Sequence, residues 1–382
     1  MKVIQIIFCL FILLLFPVTT SADFTVLKTS VISNDTGTWS PAWSPDGESI
    51  AYIAYDDSRN QQVFTMGVDG SGKKPVTNTT IKKWGVTWLN EGISYLSYDT
   101  DGLEKIYIVQ PDGTGIRKLL DDKKRQGRND ADKPPVFGEV SENPVTGKLL
   151  FTSLDEIHNE KVYEVNIDGT GKKLVIDDGK RQWDPSWNPD GKSFVYVSYD
   201  DSNNMQLFTA NADGTGRKQL TSDDVKKYDP NWGHDGILFV SYVDRFASGE
   251  KLYIINPDGT GRKLAIADGF KQKNPRWSAD GTKVLYEDID IKGNKEIKIL
   301  HLQKPAVVQT PVAPVTPTAN DTVSATPDVG QTPPEDVGVV PSGEEPEESN
   351  LKEVLVSMFL VLALIVLVML AILLLSDLFS KK

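Results

Sequence analysis

The chain of 382 residues holds one cysteine, Cys9, and three histidines, His158, His234 and His301. Cys9 lies inside an apolar N-terminal run, so once that run is removed the mature chain has no thiol. Disulfides, thiolate catalysis and cysteine-ligated metals are thereby excluded. Because Cys9 lies within the apolar core rather than after it, its placement also argues against lipidation. The histidines fall in different roles within the repeat described below, which argues against a histidine-based metal or catalytic centre. No Gly-x-Ser-x-Gly nucleophile motif and no phosphate-binding loop is present. Positive charge is scarce as well. The formal net charge is −12, which speaks against nucleic acid as a partner, because phosphate binding needs a basic footprint. Much of the acidic excess is local. Residues 305–350 carry eight carboxylates and no Lys or Arg, which leaves the body only mildly acidic.

Long apolar runs occur only at the two ends. Residues 1–22 read as a signal peptide, with Lys2 first, an apolar core over 3–16, and Thr20-Ser21-Ala22 as a small-residue cleavage site. The core is short for a bilayer span, so cleavage before Asp23 is expected. Residues 354–375 are apolar but for Ser357, long enough to span a bilayer. A transmembrane helix is therefore expected over 351–376, with a short cytoplasmic tail at 377–382 that carries Lys381 and Lys382. Residues 305–350, rich in Pro, Thr, Val and acid, show no helical or strand period and read as a disordered stalk. These segments predict a single-pass protein of the cell membrane, its N-terminal domain outside. Asn34, Asn78 and Asn320 head glycosylation sequons.

Between the ends the chain repeats itself. Residues 183–191 read Trp-Asp-Pro-Ser-Trp-Asn-Pro-Asp-Gly, and residues 39–47 read Trp-Ser-Pro-Ala-Trp-Ser-Pro-Asp-Gly. Further copies cover 84–92, 228–236 and 273–281, and an expanded one runs from Lys133 through Phe137 to Gly147. The turn glycines Gly47, Gly92, Gly147, Gly191, Gly236 and Gly281 fall roughly 45 residues apart, the spacing of a four-stranded propeller blade. The Pro-x-Trp segment is the first strand of each repeat. Alternating second strands are expected at 50–55, 93–98, 149–153, 194–199, 237–242 and 284–287. Third strands are expected at 62–68, 105–109, 161–166, 205–210, 251–255 and 296–301. An Asp-Gly-(Thr/Ser)-Gly turn then leads to a fourth strand, at 69–72, 112–115, 168–171, 213–216 and 258–261. Six repeats have only five such turns. The last repeat lacks its outer strand, and the lone alternating stretch at 23–33 supplies it, closing a ring of six blades. Pro41, Pro135, Pro185, Pro230 and Pro275 share one first-strand position, with Val86 in the remaining copy. Proline cannot donate to a ladder, so this strand belongs at a sheet edge, facing the channel.

The Trp-Ser-Pro-Asp-Gly and Asp-Gly-Thr-Gly pair resembles the repeat of the TolB-type, WD-repeat-like six-bladed β-propeller family. The resemblance covers roughly residues 23–304. It implies an all-β, mostly non-enzymatic platform for protein or peptide binding in the cell envelope. The stalk and span depart from the soluble periplasmic members of that family, so no particular partner is carried over.

In a propeller the second-to-third loops and the blade-to-blade loops share one face. Here those loops are the longer and more variable, which makes that face the candidate surface. The blade-to-blade loops are basic and aromatic: Lys82, Lys83 and Trp84; Lys180, Arg181 and Trp183; Lys226, Lys227 and Tyr228; Lys271 and Lys273; and Lys123, Lys124, Arg125 and Arg128. The second-to-third loops are acidic, at Asp56, Asp57, Asp99, Asp101, Asp155, Glu156, Asp200, Asp201, Asp288 and Asp290. The candidate binding residues at this mouth are Trp39, Trp84, Trp183, Tyr228, Lys82, Lys83, Arg181, Lys226, Lys227, Asp184 and Asp229. Against this stand two ordinary readings: loop charges that pair with one another, and aromatics that pack between blades. The second Trp of each copy (Trp43, Trp88, Trp187, Trp232, Trp277) is structural, its spacing to the turn glycine being fixed.

Asp184, Asp229 and Asn274 share one position beside the channel, and three oxygen ligands suit calcium. The leading expectation is a non-catalytic binding module for an envelope protein, peptide or glycan, with no cofactor. A calcium-dependent hydrolase or lyase at the channel mouth, and a purely structural envelope component, are the alternatives.

Overall fold

The computed structural model describes residues 25–33, 37–121, 140–243, 249–267, 269 and 271–303. The segments expected to be a signal peptide, a stalk and a membrane span, and Lys123, Lys124, Arg125, Arg128, Pro135 and Phe137, lie outside the described residues. Among the described residues no helix is long and apolar enough to cross a membrane.

Six four-stranded sheets make up the fold. The inner strands of blades 1 to 6 are Trp39–Trp43, Lys83–Leu89, Ser141–Glu142, Gln182–Trp187, Lys227–Gly233 and Lys271–Trp277. The second strands, such as Ser193–Tyr199 and Lys283–Ile289, match the alternating runs to within a residue or two at most ends. Each blade packs on both faces, so both sets of side chains are apolar at the strand centre and the alternation gives way there to a continuous apolar run. Ile50, Ala51, Tyr52 and Ile53 are all buried.

Closure follows the strand arithmetic. Thr25–Ser33 pairs antiparallel with Lys295–Gln303, Thr25 opposite Gln303 and Ser33 opposite Ile297. It is the outer strand of blade 6. The other outer strands are only two residues long, at Lys74–Pro75, Arg117–Lys118, Lys173–Leu174, Lys218–Gln219 and Lys263–Leu264. Pro41, Pro185, Pro230 and Pro275 all sit on inner edge strands.

Two recurring contacts join neighbouring blades. Near the channel, the residue before the second Trp, or Ser141 at the matching position of blade 3, reaches the next inner strand. Ser141 Oγ accepts from Trp187 N at 2.9 Å, Ser186 Oγ from Trp232 N at 3.0 Å, and Asn231 Oδ1 from Trp277 N at 2.8 Å. The ring closes with the Trp43 indole donating to Arg276 O at 3.1 Å. Trp43, Trp187 and Trp232 are buried, while Trp88 and Trp277 pack against two further core clusters.

Further out, the first glycine of each Asp-Gly-(Thr/Ser)-Gly turn lies against a backbone carbonyl at the outer edge of the preceding blade. Gly70 meets Ile32, Gly113 meets Val76, Gly169 meets Leu119, Gly214 meets Val175 and Gly259 meets Leu220. A Cβ on Gly113 would lie 2.7 Å from Val76 O, and its φ is +89°. The turn glycine was expected for its torsion, and the structure adds a steric reason. The aspartate before it accepts from the Thr two residues on, as Asp112 does from Thr114 N at 2.9 Å and Oγ1 at 2.6 Å.

Gly113→Ala combines a left-handed torsion, costing roughly 1–2 kcal/mol, with overpacking of roughly 1–3 kcal/mol. Gly47→Ala has a similar torsion, φ +74°, but nothing within 4 Å of the added methyl. Urea unfolding should therefore show Gly113→Ala losing clearly more stability than Gly47→Ala. Equal losses would mean that the blade contact is loose.

Candidate functional site

Each described full-length inner strand carries a bulge at the same place. The register slips between Trp39 and Ala42, Trp84 and Thr87, Trp183 and Ser186, Tyr228 and Asn231, and Lys273 and Arg276. The residue after the aromatic is left-handed: Ser40 at φ 50°, Gly85 at 61°, Asp184 at 50°, Asp229 at 50° and Asn274 at 49°. Asp and Asn tolerate this conformation better than most residues. The strain therefore belongs to the repeat and does not by itself mark a reactive pair.

The bulge separates two groups of candidate residues. Asp184 and Asp229 are buried and line a cavity of about 330 Å³ in the channel, together with Pro185, Pro230, Arg276 and residues of the first-to-second turns such as Pro45, Asn90 and Ala279. Trp39, Trp84, Lys82 and Lys83 line a different cleft, of about 450 Å³, between blades 1, 2 and 6 on the loop face. Arg181 lines a third cavity, beside Tyr199 and Asp200, so the candidate residues are spread over separate cavities. Among the described residues no group of three or more His, Cys, Asp or Glu is arranged to hold a metal ion.

The aromatic collar is largely packed. Trp84, Trp183 and Tyr228 are buried, and Trp39 is half-buried. Each meets, edge to face, the tyrosine that ends its blade's second strand. Trp39 pairs with Tyr55 at 5.3 Å, Trp84 with Tyr98 at 5.0 Å, Trp183 with Tyr199 at 5.2 Å and Tyr228 with Tyr242 at 6.4 Å.

The basic residues divide as well. Lys82 and Lys226 are exposed. Arg181 forms a two-nitrogen pair with Glu160, with Nη2 to Oε1 at 2.6 Å. Lys83 and Lys227 are buried. The Lys83 ammonium donates to Thr79 Oγ1 at 2.7 Å, Ile81 O at 2.8 Å and Gln61 O at 3.0 Å, so it clasps the linker between blades 1 and 2. Lys227 contacts Asp223 and Val225 O in the next linker but two. Third-strand donors clasp linkers too, Gln62 at Thr79 O and Lys161 at Lys180 O between blades 3 and 4.

The acidic loops are also partly structural. Asp56 accepts from Ser58 N and Asn60 N, Asp155 from Ile157 N and Asn159 N, and Asp200 from Ser202 N and Asn204 N, all at 2.8–2.9 Å. Asp99 and Asp290 do the same at 2.8–3.0 Å. The first aspartate of each such loop is therefore a turn cap. A signal was present in the sequence: four of the five place an Asn four residues after the Asp. Hydrogen bonds from Gln62 and Asn60 hold the Asp56 carboxyl below the usual carboxylate range.

Sequence reasoning missed Tyr55, Tyr98, Glu287 and Lys295, all of which line the loop-face cleft. The Lys295 ammonium lies 4.9 Å from the Trp39 ring centroid. Lys273 takes the repeat position held by an aromatic in blades 1, 2, 4 and 5. Burial works against its charge, but Glu250, Asp229 and Glu287 hold the ammonium above the usual lysine range.

Burial pushes the Lys83 ammonium down to about 8, against the pull of Asp56. In the unfolded chain a lysine titrates near 10.4. Between these values the unfolded state binds the extra proton, so stability rises with pH through this window. Relative to Lys83→Gln, the wild-type protein should gain stability from about pH 8 to about pH 10.5, read by urea unfolding at both ends. A flat difference would show that the ammonium is not desolvated.

Residues 141–304 match the family model of the TolB β-propeller domain. Among solved structures, the chain is similar to a putative TolB from Agrobacterium tumefaciens, at TM-score 0.54 and 15% identity, covering 71% of this chain and 93% of that one. It is also similar to TolB from Acinetobacter baumannii, at TM-score 0.52 and 18% identity, covering 67% of this chain and 65% of that one. An oligogalacturonate lyase in complex with manganese matches at TM-score 0.51 and 10% identity, covering 74% of this chain and 96% of that one. At such identities the likeness is one of fold alone, and the fold serves enzymes as well as other proteins. No curated protein matches the chain. The repeats and their six-sheet closure make the described part of this chain a six-bladed β-propeller, and its residues 141–304 carry the match to the TolB β-propeller model.

Proposed function

We propose that the protein is a non-catalytic platform of the cell envelope that captures a protein partner on its loop face. In this reading the run at 354–375 holds it in a membrane. The observation that carries the proposal is the placement of exposed apolar side chains. Tyr55, Ile81, Ile157, Val243 and Ile291 all sit at strand ends or loops of one face, and Ile157 and Ile291 are 77% and 80% exposed. On the opposite face the exposed large apolar residues are Ile116 and Val145 in the described turns, with Val26 and Leu27 beside the Thr25 end of the closing strand. Exposed apolar groups gathered on one side of a rigid ring favour a protein partner. The first-to-second and third-to-fourth turns form the other face. The paired ends Thr25 and Gln303 lie on that side, so neither end of the described ring crowds the loops.

Cross-linking capture from intact envelopes with the full-length protein tests this reading. One dominant protein should be recovered, and recovery should fall about tenfold, or about 1.4 kcal/mol, with the double variant Ile157→Glu/Ile291→Glu. Val145→Glu, on the opposite face, should leave capture unchanged. Loss with Val145→Glu alone, or no dominant partner, would overturn the reading.

A further inference from the structure

The collar of inner-strand aromatics is broken at one described position. Blades 1, 2, 4 and 5 place Trp39, Trp84, Trp183 and Tyr228 there, and blade 6 places Lys273. The loop-face cleft lies at this break, with Lys273 in its lining beside Trp39 and Trp84. A repeat protein keeps what its blades need, so a change of chemistry at one blade that coincides with a cavity is informative about a ligand.

The cleft has two kinds of wall. The edge-to-face pairs Trp39–Tyr55 and Trp84–Tyr98 supply aromatic surface. Gly37 allows the first pair to form, since a Cβ there would come within 2.8 Å of the Tyr55 ring. Lys82, Lys273 and Lys295 supply cations. Lys83 also lines the cleft, but its ammonium is spent on the carbonyls of Gln61 and Ile81. Among the described residues Glu287 is the only carboxylate in the lining, and it accepts from Ser40 N and from the Asn274 amide. Lys273 is within 3.4 Å of Glu250, which leaves Lys82 and Lys295 to face a ligand. A cationic ligand would compete with Lys295 for the Trp39 ring. An anionic one meets Lys82 and Lys295 at the rim and an apolar surface behind them.

At about 450 Å³ the cleft is in the range of small-ligand pockets, too small for a folded domain. It takes a side chain or two from an extended segment. We infer that this cleft is the specificity pocket of the loop face, and that it recognises an acidic peptide segment in which a carboxylate side chain stands next to an aromatic one. The aromatic side chain packs against Trp39 and Tyr55, and the carboxylate accepts from Lys82 and Lys295. This inference rests on the protein-binding reading above, and adds to it the chemistry of the bound segment.

The test is calorimetric titration of the full-length protein with two synthetic peptides, an acetylated hexapeptide of alternating glutamate and phenylalanine and its glutamine–phenylalanine counterpart. The acidic peptide should bind about tenfold more tightly, and the preference should shrink as salt rises from about 50 to about 500 mM, over which screening shortens markedly. Lys82→Gln with Lys295→Gln should erase the preference while leaving the thermal melt unchanged. Trp39→Ala should weaken both peptides, and Trp39→Phe should restore part of the binding if the fold is intact. Equal binding of the two peptides, no binding of either, or a preference untouched by the lysine variants would overturn the inference. If the envelope partner is still captured in an Ile157- and Ile291-dependent way under those outcomes, the platform reading stands and only the pocket assignment falls. If no partner is captured, the platform reading fails on its own.

Discussion

Neighbouring blades approach until backbone touches backbone. The first glycine of each hairpin turn sits against a carbonyl of the preceding blade, at Ile32, Val76, Leu119, Val175 and Leu220. No side chain fits there. This spacing fixes how far the outer edges stand apart, and the hydrogen bonds that Ser141, Ser186 and Asn231 accept from the next inner strand fix how close the inner strands come. Together they set the wedge angle of a blade. A ring then accepts a whole number of such wedges. The blade cores between these two contacts are ordinary apolar packing, drawn from alternate residues of the second and third strands.

The repeat made the architecture legible. Its period, its five hairpin turns and its one missing outer strand determine six blades and the closing strand without any coordinates. Directions were not legible. A lysine in a blade linker reads as surface charge, yet Lys83 turns inward and satisfies two linker oxygens and a third-strand carbonyl. An aspartate in a loop reads as part of an acidic ring, yet Asp56, Asp155 and Asp200 spend one oxygen on the nitrogens of their own turns. Such side chains are read correctly only when the backbone group they answer is known. The same holds for the first aromatic of each copy, whose partner is a tyrosine about fifteen residues later in the chain, across the hairpin.

The candidate site emerged where the repeat fails. Repetition explains most of the polar and aromatic residues as parts of a blade, and those explanations remove them from consideration as ligand contacts. What remains is asymmetry: Lys273 in place of an aromatic, Lys295 over the ring of Trp39, and apolar loop tips that differ from blade to blade. A symmetric scaffold thus separates its own maintenance from recognition, because only departures from symmetry can be specific for one partner.

The closing strand bears on the order of events during synthesis. Of the described strands, Thr25–Ser33 is made first and its partner Lys295–Gln303 last. Five blades can be complete while this strand still waits, its ladder groups open and Val26, Leu27 and Val31 exposed. Pairing so distant in sequence slows the final step and lengthens exposure to aggregation. Lys28 and the register irregularities beside it on this strand make it a poor template for its own kind in the meantime.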